Sequence, residues 1–157
     1  MKGDRLSPYG FVARHCRASD LIYGPDGRPN GVGEAAFRPK PGDIDGISVV
    51  WLDFFGSQTS LIDPRPYQLN CVRSVMSLNV TASQRLAVLL IGDVNAAILS
   101  GGGNPQVLHD PMDDLPPDAN AAHALISPVD ALNDVAVRVA LATAVGPSEV
   151  VPYQLTP

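Results

Sequence analysis

Long apolar runs are missing from this chain of 157 residues, and so is the pattern of a secretory leader. No run approaches the roughly 20 apolar residues that a membrane-spanning helix requires. The opening stretch, MKGDRLSPYG, contains no apolar segment of the kind a signal peptide carries. Only two cysteines occur, Cys16 and Cys71, too few for a disulfide framework. We therefore expect no membrane contact and a cytoplasmic protein whose thiols are reduced.

Positive charge is scarce in the second half of the chain. Residues 79–157 contain only Arg85 and Arg138 against eight acids, whereas residues 1–78 contain nine basic residues and eight acids. A chain with a net charge of −5 is not a general nucleic-acid binder, because such proteins are usually basic. Nucleic acid or a nucleotide could bind only through a local basic face, which would be formed by Arg14, Arg17, Arg28, Arg38 and Lys40. The alternative is that these five residues are scattered and solvated.

Proline and glycine are plentiful, at 15 and 14 residues, so many connections must be turns or irregular loops. The hydrophobic content of 45% is ordinary for a globular core and argues against intrinsic disorder. The length favours a single domain over residues 1–157. Two stretches dense in turn-forming residues predict long loops over residues 23–33 and 110–120, the first of which is alternatively an irregular hairpin.

Strands are predicted where β-branched, aromatic or continuous apolar residues cluster. Pro152 places the last of them at a sheet edge, because proline cannot donate to a central ladder. A brief extended piece is also expected at Glu34–Phe37. The predicted strands are Phe11–Cys16, Ile47–Phe55, Arg85–Ile91, Gln106–His109, Ala122–Ile126 and Val150–Leu155.

Helical spacing of apolar residues predicts a helix over Tyr67–Leu78 and a short one over Val94–Ser100. Asp93 is the expected N-cap of the short helix, and the glycines 101–103 are expected to end it.

The last predicted helix, about 128–145, begins with Ser127 as N-cap and Pro128 in its first turn. It is almost entirely apolar, and Asp134 and Arg138 are spaced to pair on one narrow polar stripe. We therefore expect it to be largely buried, against the sheet or against a partner chain. The element order predicts an α+β fold, a mixed or antiparallel sheet packed by roughly two to three helices.

A zinc site is the first interpretation of the histidines and aspartates near residues 107–126. His109, Asp110 and His123 could supply three ligands, with His15 or Cys16 as a fourth. Their spacing matches no zinc signature, and the aspartates do not follow the calcium-loop pattern. Turn formation explains the acids of the 110–120 loop without a metal, so we predict neither metal nor cofactor.

Acid–base catalysis is the second alternative, because two imidazoles can exchange protons with a bound phosphate near neutral pH. The candidates are His15 and His123, with Arg14 holding the phosphate and Arg17 and Arg38 as further phosphate-binding residues. Strand alternation separates Arg14 from His15 unless the strand ends there. The structural alternative is that each histidine is simply hydrogen-bonded at a strand end.

Nucleophilic chemistry at Cys16 is the third alternative, since Arg14 and Arg17 make its surroundings electropositive. A buried, inert thiol is the default interpretation. The glycines 101–103 lack the Gly-Lys-Ser/Thr ending of a phosphate loop and follow a helix instead of preceding one.

Short motifs along most of the chain resemble those of a group of short uncharacterised bacterial proteins. They are Arg14-His15, Ala36-Phe37, Ile47-Ser-Val49, Asp110-Pro111 and the stretch from Asn120 through His123 to Ile126. In that group an Arg-His, an Ala-Phe, a Leu-Ser-Val and an Asn-Pro-x-His-Ala recur in this order. Here Ile47 stands where Leu is usual, and Ala121 where Pro is usual. The resemblance implies a bacterial origin and directs attention to Arg14, His15 and His123.

No complete catalytic signature is present, so the sequence favours a small binding or accessory module. Its apolar last helix and its uneven charge suggest action through a protein partner or through self-association. The alternative hypothesis is a small enzyme that acts on RNA or a nucleotide through His15, His123 and Arg14.

Overall fold

A computed structural model describes residues 2–56, 81–111 and 121–152. The described chain forms a six-stranded antiparallel sheet, a separate two-stranded hairpin and helices packed on the sheet, which confirms the predicted α+β class. The strands are β1 (Phe11–Cys16), β2 (Leu21–Tyr23), β3 (Pro29–Val32), β4 (Ile47–Trp51), β5 (Arg85–Leu90), β6 (Gln106–His109), β7 (His123–Ser127) and β8 (Val150–Pro152). The α-helices are α1 (Asp53–Gly56), α2 (Ile91–Ser100) and α3 (Val135–Ala144).

The strand order in the large sheet is β6-β7-β4-β1-β5-β8, and β2 pairs with β3 in the hairpin. β8 lies at one edge, as Pro152 predicts. At the other edge, residues 3–6 run beside β6: the Leu6 amide donates to the Val107 carbonyl over 2.9 Å and the His109 amide donates to the Asp4 carbonyl over 2.9 Å. These bonds cover backbone groups that an open edge would leave available for aggregation.

Strand alternation gives the sheet two apolar faces, both of which are buried in part. We call the face under α2 and α3 the helix face and the opposite one the far face. The main core lies on the helix face and includes Val12, Val49, Leu89, Ile126, Ile98 and Leu141. A smaller cluster lies on the far face and includes Ala13, Val50, Leu52, Leu86 and Val88.

Residues Glu34–Phe37 form a single 3-10 turn, so the prediction of an extended piece there is wrong. The turn closes over the helix face, where Phe37 is fully buried. Two arginines hold it in place: the Arg14 Nε donates to the Ala36 carbonyl over 3.0 Å, and the Arg138 Nε donates to the Glu34 carboxylate over 2.5 Å. The two arginines lie on β1 and α3, far from the turn in sequence, so no local pattern predicts these bonds.

The last predicted helix divides into a 3-10 helix and an α-helix, and the α-helix starts later than predicted. Residues Val129–Asn133 form a 3-10 helix, and α3 begins after Asp134, whose carboxylate accepts from the Ala136 amide over 2.9 Å. Asp134 is therefore the cap. The predicted cap Ser127 instead donates its hydroxyl to the Asp45 carbonyl.

The expected burial of α3 holds for one face only. Val137, Arg138 and Leu141 are buried, whereas Val135 and Val139 are 54% and 49% exposed. The side chain of Arg138 turns to Glu34 and to the Leu132 and Asn133 carbonyls, not to Asp134 as predicted. A helix that is apolar on all sides gives no sequence signal for which face packs, and in the structure α3 contacts the 34–37 turn and α2.

Other boundaries differ by a few residues. β4 ends at Trp51 and α1 begins at Asp53, whose carboxylate accepts from the Phe11 amide over 2.6 Å, so the predicted strand to Phe55 is too long. α2 begins at Ile91, with Leu90 as its N-cap in place of Asp93. The predicted helix over 67–78 and most of the 110–120 loop lie outside the described residues. In the described ranges, none of the helices has the length and apolar character needed to cross a membrane.

Candidate functional site

Three polar side chains meet on the far face where β4, β7 and the end of β6 lie side by side. In the β4–β7 register, Ser48 pairs with Leu125 and Val50 pairs with His123. Ser48 and His123 are therefore diagonal neighbours on one face, close enough for long side chains to touch. Asp110 follows β6 directly, and its amide donates to the His123 carbonyl over 2.9 Å. The antiparallel pairing thus brings together residues that are 75 positions apart in the chain.

The hydrogen bonds of His123 define the arrangement. Its Nε2 lies 3.1 Å from the Ser48 Oγ. Its Nδ1 lies 2.7 Å from the Asp110 carbonyl oxygen and 3.3 Å from the Asp110 Oδ2. Both Asp110 oxygens are acceptors, so we assign Nδ1 as the ring nitrogen that carries a proton. Nε2 then has a free lone pair and accepts from the Ser48 hydroxyl.

Ser48 is more accessible to solvent than His123 and Asp110. Ser48 is exposed, whereas the side chains of His123 and Asp110 are only 17% and 26% exposed. The Lys2 ammonium lies 3.4 Å from the Asp110 Oδ1. An incoming molecule can therefore reach the hydroxyl while the imidazole and its acceptors stay fixed.

This order of groups matches the logic of a Ser-His-Asp triad, in which a base activates a hydroxyl and an acid orients the base. One feature differs from the usual triad. The shorter bond to Nδ1 comes from the backbone carbonyl of Asp110, and the longer contact comes from its carboxylate. The main chain and the side chain of Asp110 both favour the tautomer with the proton on Nδ1. We call Ser48, His123 and Asp110 the relay.

A shallow groove of about 530 Å³ adjoins the relay at Asp110, which is the relay residue in its lining. Its lining includes Asp110 and the two leucines Leu108 and Leu125, which pair with each other across β6 and β7. Ile44 and Pro128 contribute further apolar surface. Its size lies within the range of small-molecule sites in proteins.

Of the predicted catalytic residues, His123 is in the relay and the other two lie on β1. His15 is partly buried, and this burial, followed by the charges of Arg14 and Lys40, lowers the pKa of its imidazole. β4 lies between the strands that carry His15 and His123. A joint action of the two histidines stays a prediction.

Arg14 is engaged with the main chain. Its guanidinium donates to the Ala36 carbonyl and, over 2.7 Å, to the Ser48 carbonyl, at the point where β1 and β4 no longer pair. Burial lowers the pKa of Arg14 below its ordinary value. The guanidinium therefore fixes the backbone of the residue whose hydroxyl faces His123.

The predicted phosphate-binding residues face acids. The Arg17 Nε lies 3.7 Å from the Asp20 carboxylate, and an Arg38 nitrogen lies 3.0 Å from the Glu34 carboxylate. Both arginine side chains are well exposed, so phosphate binding by them stays a prediction.

His109, considered as a zinc ligand, and Cys16, considered as a nucleophile, both make structural contacts. His109 packs its ring edge-on to Trp51, with centroids 5.2 Å apart, and its Nε2 contacts the Ala121 carbonyl. Over the ranges that the structure describes, no group of His, Cys, Asp and Glu side chains is arranged to hold a metal ion. Cys16 is fully buried on the helix face.

Ser48 is the member of the relay that no sequence pattern singled out. It lies in the Ile47-Ser-Val49 motif, and Asp110 and His123 lie in the two later motifs, so the motifs contained all three residues. The missing knowledge was the pairing of β4 with β7 and its register.

Comparison of the chain with protein-family models, with curated proteins and with solved structures finds no match. The geometry of the site therefore carries the functional argument.

Proposed function

We propose that this protein is a small hydrolase that acts by acyl transfer, with Ser48 as nucleophile, His123 as general base and Asp110 as the group that orients the base. The observation that carries the proposal is the 3.1 Å contact from the Ser48 Oγ to the His123 Nε2, on a ring whose Nδ1 faces two acceptors of Asp110. This distance is within the reach that proton transfer to a general base requires.

The reaction divides into two displacements. The Ser48 Oγ attacks the carbonyl carbon of an ester or thioester while Nε2 of His123 takes the hydroxyl proton. The leaving group departs with that proton, and the acyl group stays on Ser48. Water then gives its proton to Nε2 and attacks the acyl carbon, which releases the acid and restores the Ser48 hydroxyl. In both steps the imidazolium is stabilised by the Asp110 carboxylate.

Labelling with a fluorophosphonate probe tests the proposal, because such probes react with activated serine hydroxyls. We expect a single adduct by intact mass, mapped to Ser48 by peptide analysis, and none in Ser48→Ala or His123→Ala. Ser100→Ala is the matched control, since Ser100 is an exposed serine at the end of α2. A folded wild-type protein that takes no label, or a Ser48→Ala variant that labels as fast as wild type, rejects the proposal.

The Asp110→Asn variant gives a finer test. Replacing the acid of an ordinary triad lowers kcat by roughly 10⁴-fold because the ring adopts the wrong tautomer. Here the Asp110 carbonyl still accepts from Nδ1, so we expect a much smaller loss of labelling rate. A loss as large as that of His123→Ala would show that the carbonyl does not fix the tautomer.

A partner-binding module is the second candidate, favoured by one observation on the other side of the molecule. Val139 on α3 and Ile22 on β2 are 49% and 53% exposed and line one shallow groove of about 410 Å³, with Val32 and Val145 deeper in it. Exposed apolar surface of this kind marks association sites. We expect sedimentation over a wide concentration range to show self-association that Val139→Asp abolishes and Ser48→Ala leaves intact. A wild-type protein that remains monomeric throughout would contradict self-association at this surface.

A further inference from the structure

We infer that the groove beside the relay binds the acyl chain of the substrate, and that this substrate is a neutral or cationic ester or thioester with an apolar chain of medium length. The inference rests on the proposed function for its chemistry, and on the sheet register and the charges of the groove for its selectivity.

The register connects the groove to the nucleophile. Leu125 pairs with Ser48 on one side and with Leu108 on the other, so these three residues form one row across β4, β7 and β6. All three side chains lie on the far face, because their strand neighbours Val49, Ala124 and Val107 belong to the core on the helix face. A chain attached to the Ser48 Oγ and laid along this row covers Leu125 first and Leu108 next.

The row sets the length of that chain. Neighbouring strands are about 4.8 Å apart, so the distance from β4 to β6 is about 10 Å. Beyond Leu108 lie residues 3–6 that cover the edge of the sheet, including Arg5, which forms a bridge to Leu108. The row therefore suits an acyl chain that ends over Leu108 and offers no apolar extension for a long one.

Charge around the groove selects against anions. Among the lining residues, Asp45, Asp110 and Asp130 carry negative charge, and Lys2, the one basic residue in the lining, lies 3.4 Å from the Asp110 carboxylate. An anionic substrate would also meet the carboxylates of Asp45 and Asp130, which are both exposed. The released acid is itself an anion, so the same field favours departure of the product.

The first arm of the test is turnover of a series of p-nitrophenyl esters with acetyl, butyryl, hexanoyl and octanoyl chains. We expect kcat/KM to rise by about two- to fourfold for each added methylene up to hexanoyl or octanoyl, the upper value being the ratio equivalent to ~0.8 kcal/mol per buried CH₂. Ile44→Ala should flatten this rise, since Ile44 lines the groove and, being 79% exposed, has little role in the core. Leu99→Ala is the matched control, an exposed apolar residue on α2 whose loss should leave the rise unchanged.

The second arm measures binding without catalysis, on the Ser48→Ala variant. Octanamide should shift the methyl resonances of Leu108 and Leu125 and should bind more tightly than butanamide, and octanoate should bind more weakly than octylamine. If the fluorophosphonate labels Ser48 but neither the rates nor the binding depends on chain length, the groove inference fails and the proposed function stands. If the label is absent but octanamide binds in the groove, the proposed function fails and the groove remains a site for apolar chains. Absence of methyl shifts in this arm overturns the groove inference by itself.

Discussion

Ser48 is held at its backbone as well as at its side chain. The Arg14 guanidinium donates to the Ser48 carbonyl over 2.7 Å, and the Ser48 hydroxyl lies 3.1 Å from the His123 Nε2. In a regular ladder that carbonyl would accept from an amide of the neighbouring strand, but the pairing of β1 with β4 ends before Ser48. Arg14 therefore positions the backbone of the candidate nucleophile, and its predicted role as a phosphate ligand stays a prediction.

Cys16 provides a prediction at the scale of one residue. Burial, with a smaller contribution from the Asp20 carboxylate, raises the pKa of its thiol from 9.0 to about 12. The thiolate is the reactive form, so at about pH 8 its population falls roughly 1,000-fold relative to an unperturbed thiol. In a Cys71→Ala background, we expect iodoacetamide to alkylate native Cys16 at least that much more slowly than the unfolded chain, as followed by intact mass. Equal rates in the two states would show that the fold does not protect the Cys16 thiol.

At the scale of the element, composition predicted strands better than it predicted helix ends. The runs at Phe11–Cys16 and Gln106–His109 match β1 and β6, because β-branched and apolar residues in short runs favour a pleated, half-buried surface. The start of the last helix was wrong since Ser127, a good cap by type, bonds instead to the Asp45 carbonyl. That choice depends on a contact 82 residues away, which no local pattern encodes.

His123 of the candidate site was predictable from the sequence, but Ser48 and the assembly of the three residues were not. His123 was identified, and the acids beside it were considered as metal ligands or as a solvated loop. Asp110 acts on His123 because β6 and β7 pair and end together, and Ser48 reaches His123 because β4 pairs with β7 in one register. A shift of one residue would turn Ser48 to the helix face and remove the contact.

The whole molecule links its stability to pH through His15. Burial, followed by the charges of Arg14, Lys40 and Arg17, lowers the pKa of the imidazole in the folded state, while Asp20 opposes them. The unfolded chain therefore binds a proton more readily, and the free energy of unfolding falls as pH drops from 6.5 towards the lower pKa of the folded state. Glu34 acts in a separate range, because Arg138 lowers the pKa of its carboxyl below 4.5 and its contribution is lost only in stronger acid.

Urea unfolding of wild type and His15→Gln at roughly pH 8 and roughly pH 5 isolates the histidine contribution. We expect wild type to lose more stability than the variant between these two conditions, since only wild type has a group at position 15 that gains a proton on unfolding. The comparison uses the change with pH and not the absolute stability, so any contact that His15 loses on substitution cancels. A variant that loses as much stability as wild type would mean that the environment of His15 does not resist its charged form. In that case the basic residues around position 15 would be too well solvated to lower the pKa of the His15 imidazole.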